Sequence, residues 1–152
     1  MGNIFNEDFT DFLNALNNNR VDYILVGGYS VIIHGYNRTT GDMDIWVRKT
    51  LDNYTKLVAA FQEFKMPVFD MSEINFLNNQ EMDVFSFGRP PVSIDIMTAV
   101  KGVDFEESFS QAILAEVDEI TVRVIHINQL VQAKKAASRF KDLDDLDNLK
   151  IR

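Results

Sequence analysis

The chain has no cysteine among its 152 residues. That excludes a disulfide scaffold and any thiolate-held zinc or iron–sulfur centre. Proline is scarce, at Pro67, Pro90 and Pro91 only, and there is no linker, internal repeat or low-complexity run. No stretch approaches the ~20 apolar residues that would span a bilayer. No basic-then-apolar leader opens the chain, so a cytoplasmic protein without membrane contact is expected. Asn6 stands where a myristoylation signal wants Ser or Thr. Positive charge is also in short supply: 15 basic against 23 acidic residues give a net charge of −8. Such a surface repels nucleic acid in bulk. It does not exclude a nucleotide whose charge is bridged by a metal ion.

What is present suits a single domain over residues 1–152. The chain is 46% hydrophobic and 25% charged, ordinary values for a globular protein. At this size roughly 70% of the unfolded surface is buried, so folding needs no metal or disulfide. Phe5, Phe9, Phe12, Leu13 and Leu16 recur at helical spacing, and Asn17-Asn18-Asn19 ends that helix. Val21–Val26 reads as a strand, broken by Gly27-Gly28, with a helical turn or two over Tyr29–His34. Asp42–Val47 is a second strand. Thr50 caps a helix carrying Leu51, Tyr54, Leu57, Val58, Phe61 and Phe64. Residues 66–80 show no clear period. Val84–Phe87 and Val92–Met97 read as strands about a Gly-Arg-Pro-Pro turn, and Phe105–Leu114 as a helix capped by Asp104. Ile120–Ile127 reads as a strand. Asn128 is expected to cap a helix to about Ser138, with a last helix from Asp142, a helical C-terminal segment over 128–150. Strands alternate with helices and then cluster, which predicts an α+β domain: a mixed β-sheet with helices packed on it.

Three carboxylates carry the chemistry. Asp42 and Asp44, two apart on one strand, point to one face. Asp95 sits in Ile94-Asp95-Ile96, an apolar setting where a lone charge is costly to desolvate. If Asp95 lies beside the other two, like charges converge and call for a cation between them. All-oxygen ligands suit Mg²⁺ or Mn²⁺, and two such ions form a clamp for phosphoryl or nucleotidyl transfer. The glycine turn lets backbone N–H groups approach a phosphate. Taken singly, Asp42 and Asp44 also suit a solvent-facing edge strand, and Gly27-Gly28 an ordinary tight turn.

Val26-Gly27-Gly28, thirteen intervening residues, then Asp42-Met43-Asp44-Ile45, with Ile94-Asp95-Ile96 further on, resembles the signature of the polymerase-β-type nucleotidyltransferase superfamily. The chain is more similar still to small bacterial nucleotidyltransferase-like proteins. That likeness rests on Val26-Gly27-Gly28-Tyr29-Ser30, His34-Gly35-Tyr36, Arg38 through Asp44, Gly88-Arg89-Pro90-Pro91, Gly102-Val103-Asp104-Phe105, and Lys134 through Arg139 to Asp145. Relatives of that group include toxin-type nucleotidyltransferases of toxin–antitoxin and phage-abortive systems and small antibiotic nucleotidyltransferases. Ser138 and Phe140 depart from the Gly and Pro often found in relatives. The wide gap between Asp44 and Asp95 suggests an insertion at 66–80 that shapes an acceptor site.

The resemblance implies a nucleotidyltransferase fold and transfer of a nucleoside monophosphate from a nucleoside triphosphate to an acceptor hydroxyl, with release of pyrophosphate. It places the phosphates at Gly27, Gly28 and the Ser30 hydroxyl. Two Mg²⁺ (or Mn²⁺) ions fall to Asp42 and Asp44, with Asp95 completing the second metal site or acting as base. Arg38 is either a phosphate contact or a surface guanidinium. Lys134 either contacts the triphosphate or acceptor or pairs with Asp142, Asp144 and Asp145, and Lys141 has the same two readings. His126 reads as structural, and His34 as a core, capping or loop-orienting group. Tyr36 and Trp46 stack on a base or fill core. The acceptor is a small molecule, a protein or a transfer RNA, and a homodimer is compatible with the resemblance. A non-catalytic nucleotide-binding or partner-binding module on the same fold, an antitoxin or regulatory component, is the alternative.

Overall fold

A computed structural model describes residues 4–36, 38–89, 92–137 and 140–150. Asn6 opens α1 (Glu7–Asn18) by accepting from the Phe9 N–H at 2.8 Å, and Phe9, Phe12, Leu13 and Leu16 form its buried face. Strand β1 (Tyr23–Val26) is buried throughout and runs straight into α2 (Gly27–Ile33). The helix therefore starts two residues before the expected turn, at the first glycine itself. β2 (Asp42–Val47) has the expected bounds. Thr50 Oγ1 accepts from the Asn53 N–H and caps α3 (Leu51–Phe64).

The segment 66–80 contains α4 (Glu73–Asn78), capped by Ser72. Met71 and Phe76 bury themselves in the core shared by α1 and α3, where Phe76 lies against Tyr54 and Phe85. A helix of six residues is too short to show a period, which hid it from the sequence. β3 (Val84–Arg89) and β4 (Val92–Met97) pair as an antiparallel hairpin.

The expected helix over Phe105–Leu114 is shorter than its pattern suggests. Capped by Asp104, α5 (Phe105–Gln111) stops at Gln111, and Ile113–Val117 forms a strand, β5. β5 pairs antiparallel with β6 (Ile120–Val124) through a two-residue turn at Asp118-Glu119, both with positive φ (51° and 66°). Such turns favour Asn-Gly or Asp-Gly; here glycine is missing, so the hairpin signal is weak. Asp118 offsets that cost by accepting from the Ile4 and Phe5 N–H groups, tying the start of the chain to the turn. α6 (Ile127–Ala137) begins one residue before the expected cap: the Asn128 N–H donates to His126 Nδ1 at 3.0 Å, so His126 takes that role. α7 (Phe140–Lys150) follows.

The six strands form one mixed sheet in the order β3-β4-β2-β1-β6-β5. β2 runs parallel to β4 and antiparallel to β1, and β1 parallel to β6. One face carries the larger core, with Leu25, Met43, Ile45, Ile94 and Ile96 against α1, α3 and α4. The other carries Ile24, Val26, Trp46, Ile125, Leu130 and Leu149, under α5, α6 and α7. This is an α+β domain, a mixed sheet with helices packed on it. Among the described residues no helix is long and apolar enough to cross a membrane.

Candidate active site

β2 alternates strictly. Met43, Ile45 and Val47 enter the larger core, which leaves Asp42, Asp44 and Trp46 on the other face. That face runs from Asp42, exposed, through Asp44, half-buried, to Trp46, 2% exposed. The carboxylates thus sit where the smaller core opens to solvent. Parallel pairing sets Asp44 opposite Asp95 on β4, so the two carboxylates leave adjacent strands on one face. Neighbouring strands continue the row, with Ser86 opposite Asp95 and Val26 opposite Asp44. One step out, Asp42 faces Ser93, whose Oγ donates to Asp42 Oδ1 at 2.8 Å.

The register brings the glycine turn to Asp44. Gly27 follows Val26 and has φ +69°, and a Cβ on it would lie 2.0 Å from Asp44 Oδ2. Only glycine allows the main chain this close to the carboxylate in this conformation. Gly28 is packed by Thr40, whose Oγ1 would stand 2.7 Å from a Cβ there. Ser30 is fully buried, and its Oγ donates to the Gly27 carbonyl at 2.6 Å. The Ser30 hydroxyl thus fastens the turn. Tyr29, in the same helix, has its hydroxyl pKa raised by burial and then by the charge of Asp42.

Among the described residues no three His, Asp or Glu side chains are already gathered around one point. Asp42 turns toward Ser93, and three carboxylates without a cation repel one another. The donor set is all oxygen, and it could hold a hard divalent cation through Asp44 and Asp95, with Asp42 one strand step away.

A cavity of about 180 Å³ opens beside this row. Gly27, Asp44, Lys101, Lys134 and Asp142 line it together with apolar side chains, among them Met97 and Leu130. At its α6–α7 side lies a buried charge network. Lys134 Nζ is 3.1 Å from both Asp142 Oδ1 and Asp145 Oδ2, and Arg38 Nη1 is 2.7 Å from Asp145 Oδ2. The side chains of Lys134, Asp142 and Asp145 are 7%, 0% and 2% exposed. These pairs dock α7 on α6 and on the loop before β2, and the Tyr36 hydroxyl adds a bond to Asp144. Arg139 and the Lys141 side chain lie outside the described residues.

A family profile described as nucleotidyltransferase of unknown function (DUF6036) matches residues 7–152. The chain belongs to this family. Solved structures share its fold. The proposed nucleotidyltransferase TM1012 of Thermotoga maritima is 16% identical, with a TM-score of 0.61 over 95% of this chain and 91% of that one. The lincomycin-bound lincosamide antibiotic adenylyltransferase LnuA is 15% identical, with a TM-score of 0.62 over 98% of each chain. JHP933 of Helicobacter pylori is 14% identical, with a TM-score of 0.53 over 96% of this chain and 64% of that one. At these identities the likeness is one of fold. No match is found among curated protein sequences.

Trp46 fills core, edge-on to Phe105 at 5.2 Å. His34 ties the end of α2 to the sheet, its Nε2 donating to the Ile125 carbonyl at 2.7 Å. α4 contributes to the core on the opposite face from Asp44, so the 66–80 segment is not built over the carboxylate row. Three residues near the site escape sequence reasoning: Ser93, Thr40 and Lys101. Ser93 has the signal of spacing, standing two before Asp95 as Asp42 stands two before Asp44. Thr40 and Lys101 are loop residues with no periodic signal.

Proposed function

We propose that the protein moves a nucleoside monophosphate from a nucleoside triphosphate to an acceptor hydroxyl, releasing pyrophosphate, with Mg²⁺ or Mn²⁺ bound at Asp44, Asp95 and Asp42. The observation that carries this reading is the register of Asp44 with Asp95, with the Gly27 main chain pressed against the Asp44 carboxylate. Family membership over residues 7–152 supports it. The divalent ions, when bound, supply charge neutralisation for the phosphates. The protein's own groups do the positioning. Gly27 and Gly28 bring backbone N–H groups to the phosphate tail, and Ser30 locks that turn through the Gly27 carbonyl. Asp95 orients the acceptor hydroxyl and takes its proton as the acceptor oxygen bonds to the α-phosphorus. The bond from the α-phosphorus to the bridging oxygen breaks, and its electrons leave with pyrophosphate. The apolar part of the cavity excludes water, which strengthens each charge interaction within it.

Neutralisation of Lys134 and Arg38 by α7 carboxylates favours a second reading, a nucleotide-binding or partner-binding module without chemistry. A net charge of −8 disfavours a large RNA as acceptor under the first reading or as partner under the second. Pyrophosphate release from each of the four triphosphates with Mg²⁺, across small-molecule, protein and transfer RNA acceptors, separates the two. Release that is lost in Asp44→Asn and Asp95→Asn supports transfer. Triphosphate binding with no release for any acceptor supports the second reading.

A further inference from the structure

Transfer from a triphosphate needs cationic charge for the leaving pyrophosphate, and two of the basic residues expected to supply it, Lys134 and Arg38, are already paired. Lys134 and Arg38 face Asp142 and Asp145, two positive against two negative side chains. Drawing Lys134 onto a phosphate would take the ammonium away from carboxylates that are 0% and 2% exposed, and losing one partner of a buried ion pair is strongly disfavoured. The network is therefore built to stay closed.

Among the described residues, one other cation lines the same cavity. Lys101 is exposed, borders the space shared by Gly27 and Asp44, and forms no ion pair with a described residue. Its backbone is held in place. Gly102, next in the chain, has φ +89°, and a Cβ there would lie 2.5 Å from the Ala136 Cβ of α6. The loop after β4 is thus clamped against α6 directly after the residue that reaches the cavity. β4 is also the strand that carries Asp95, so one strand and the loop after it supply both the carboxylate opposite Asp44 and the cation at the cavity.

We infer that Lys101 binds the β- and γ-phosphates and carries the charge of the departing pyrophosphate, while Lys134 and Arg38 are structural. This assignment rests on the nucleotidyl-transfer reading and goes beyond it by naming the residue that meets the phosphate tail. The test is isothermal titration of the full-length protein with Mg²⁺ and each of ATP, GTP, CTP and UTP, and with the corresponding nucleosides. Wild type is compared with Lys101→Ala and Lys101→Arg. Loss of a charge-assisted contact weakens the preferred triphosphate roughly ten- to hundredfold in Lys101→Ala. Lys101→Arg restores most of it, and nucleoside affinity is unchanged in both. Unchanged triphosphate affinity in Lys101→Ala overturns the assignment and leaves nucleotidyl transfer standing. Equal weakening of nucleoside and triphosphate also overturns it, since a charge contact would spare the nucleoside. A wild-type protein that binds none of the four triphosphates refutes the transfer reading, and the assignment with it.

Discussion

Gly27→Ala probes the joint between the glycine turn and the carboxylate row. Two costs add. An L-residue at φ +69° costs about 1–2 kcal/mol. The new methyl also meets Asp44 Oδ2 at 2.0 Å, Cγ at 2.8 Å and Cβ at 2.9 Å. Overpacking of that kind costs about 1–3 kcal/mol. The sum is about 2–5 kcal/mol in the wild-type background. Asp44→Ala removes the two closest atoms but keeps the Cβ at 2.9 Å, so in that background the backbone cost of about 1–2 kcal/mol and a reduced clash remain. A double-mutant cycle by urea denaturation of the four proteins should therefore show a coupling of up to about 2 kcal/mol between positions 27 and 44. Gly27→Ala should also lose Mg²⁺-dependent triphosphate binding while still folded, because the methyl takes the place of Asp44 Oδ2 and displaces that carboxylate from its position in the row. Equal cost in both backgrounds would refute the close approach of turn and carboxylate.

Other expectations are independent of that joint. Lys134→Met leaves Asp142 and Asp145 buried without their ammonium partner and should destabilise the fold by about 3–5 kcal/mol, read from the urea midpoint. Substituting Asn at position 142 as well should recover part of that loss. Burial raises the hydroxyl pKa of Tyr23, Tyr29 and Tyr54 above the ordinary value near 10. The unfolded chain therefore releases these protons first. Their contribution to stability is fully present below about pH 10 and is lost as pH rises through the folded-state values. Stability measured from pH 8 to 12 should fall above 10, less steeply in Tyr23→Phe; a flat profile would contradict the burial. Glu119→Gly gives the β5–β6 turn the residue its backbone favours and should raise stability by about 0.5–1 kcal/mol, seen as a higher melting temperature.

Much of the fold was legible because its signals are local. The apolar positions Phe9, Phe12, Leu13 and Leu16 define one face of α1, and alternation along Asp42–Val47 defines β2 to the residue. β5 was hidden because Ile113 and Leu114 are exposed at the sheet edge, which removes alternation, and because Asp118-Glu119 lacks glycine. Within the candidate site, strand parity put Asp42 and Asp44 on one face, but the pairing of Asp44 with Asp95 depends on a parallel register across fifty residues of chain, which no local pattern encodes. Lys134 illustrates the same limit. Both of its readings were visible in Asp142 and Asp145, and the choice between them is made by how α7 packs on α6. Ser30 is a phosphate candidate by position, and which way its hydroxyl turns, here onto the Gly27 carbonyl, is not written in the sequence.

The central claim is that Asp44 and Asp95, beside the glycine turn, hold a divalent cation together with a triphosphate. The most direct measurement is a Mn²⁺ titration followed by electron paramagnetic resonance, with and without a non-hydrolysable triphosphate. Wild type should bind Mn²⁺ more tightly when the nucleotide is present. Asp44→Asn and Asp95→Asn should lose that binding while melting no lower than wild type, since each relieves carboxylate repulsion. Mn²⁺ and nucleotide binding unchanged in both variants would contradict the account.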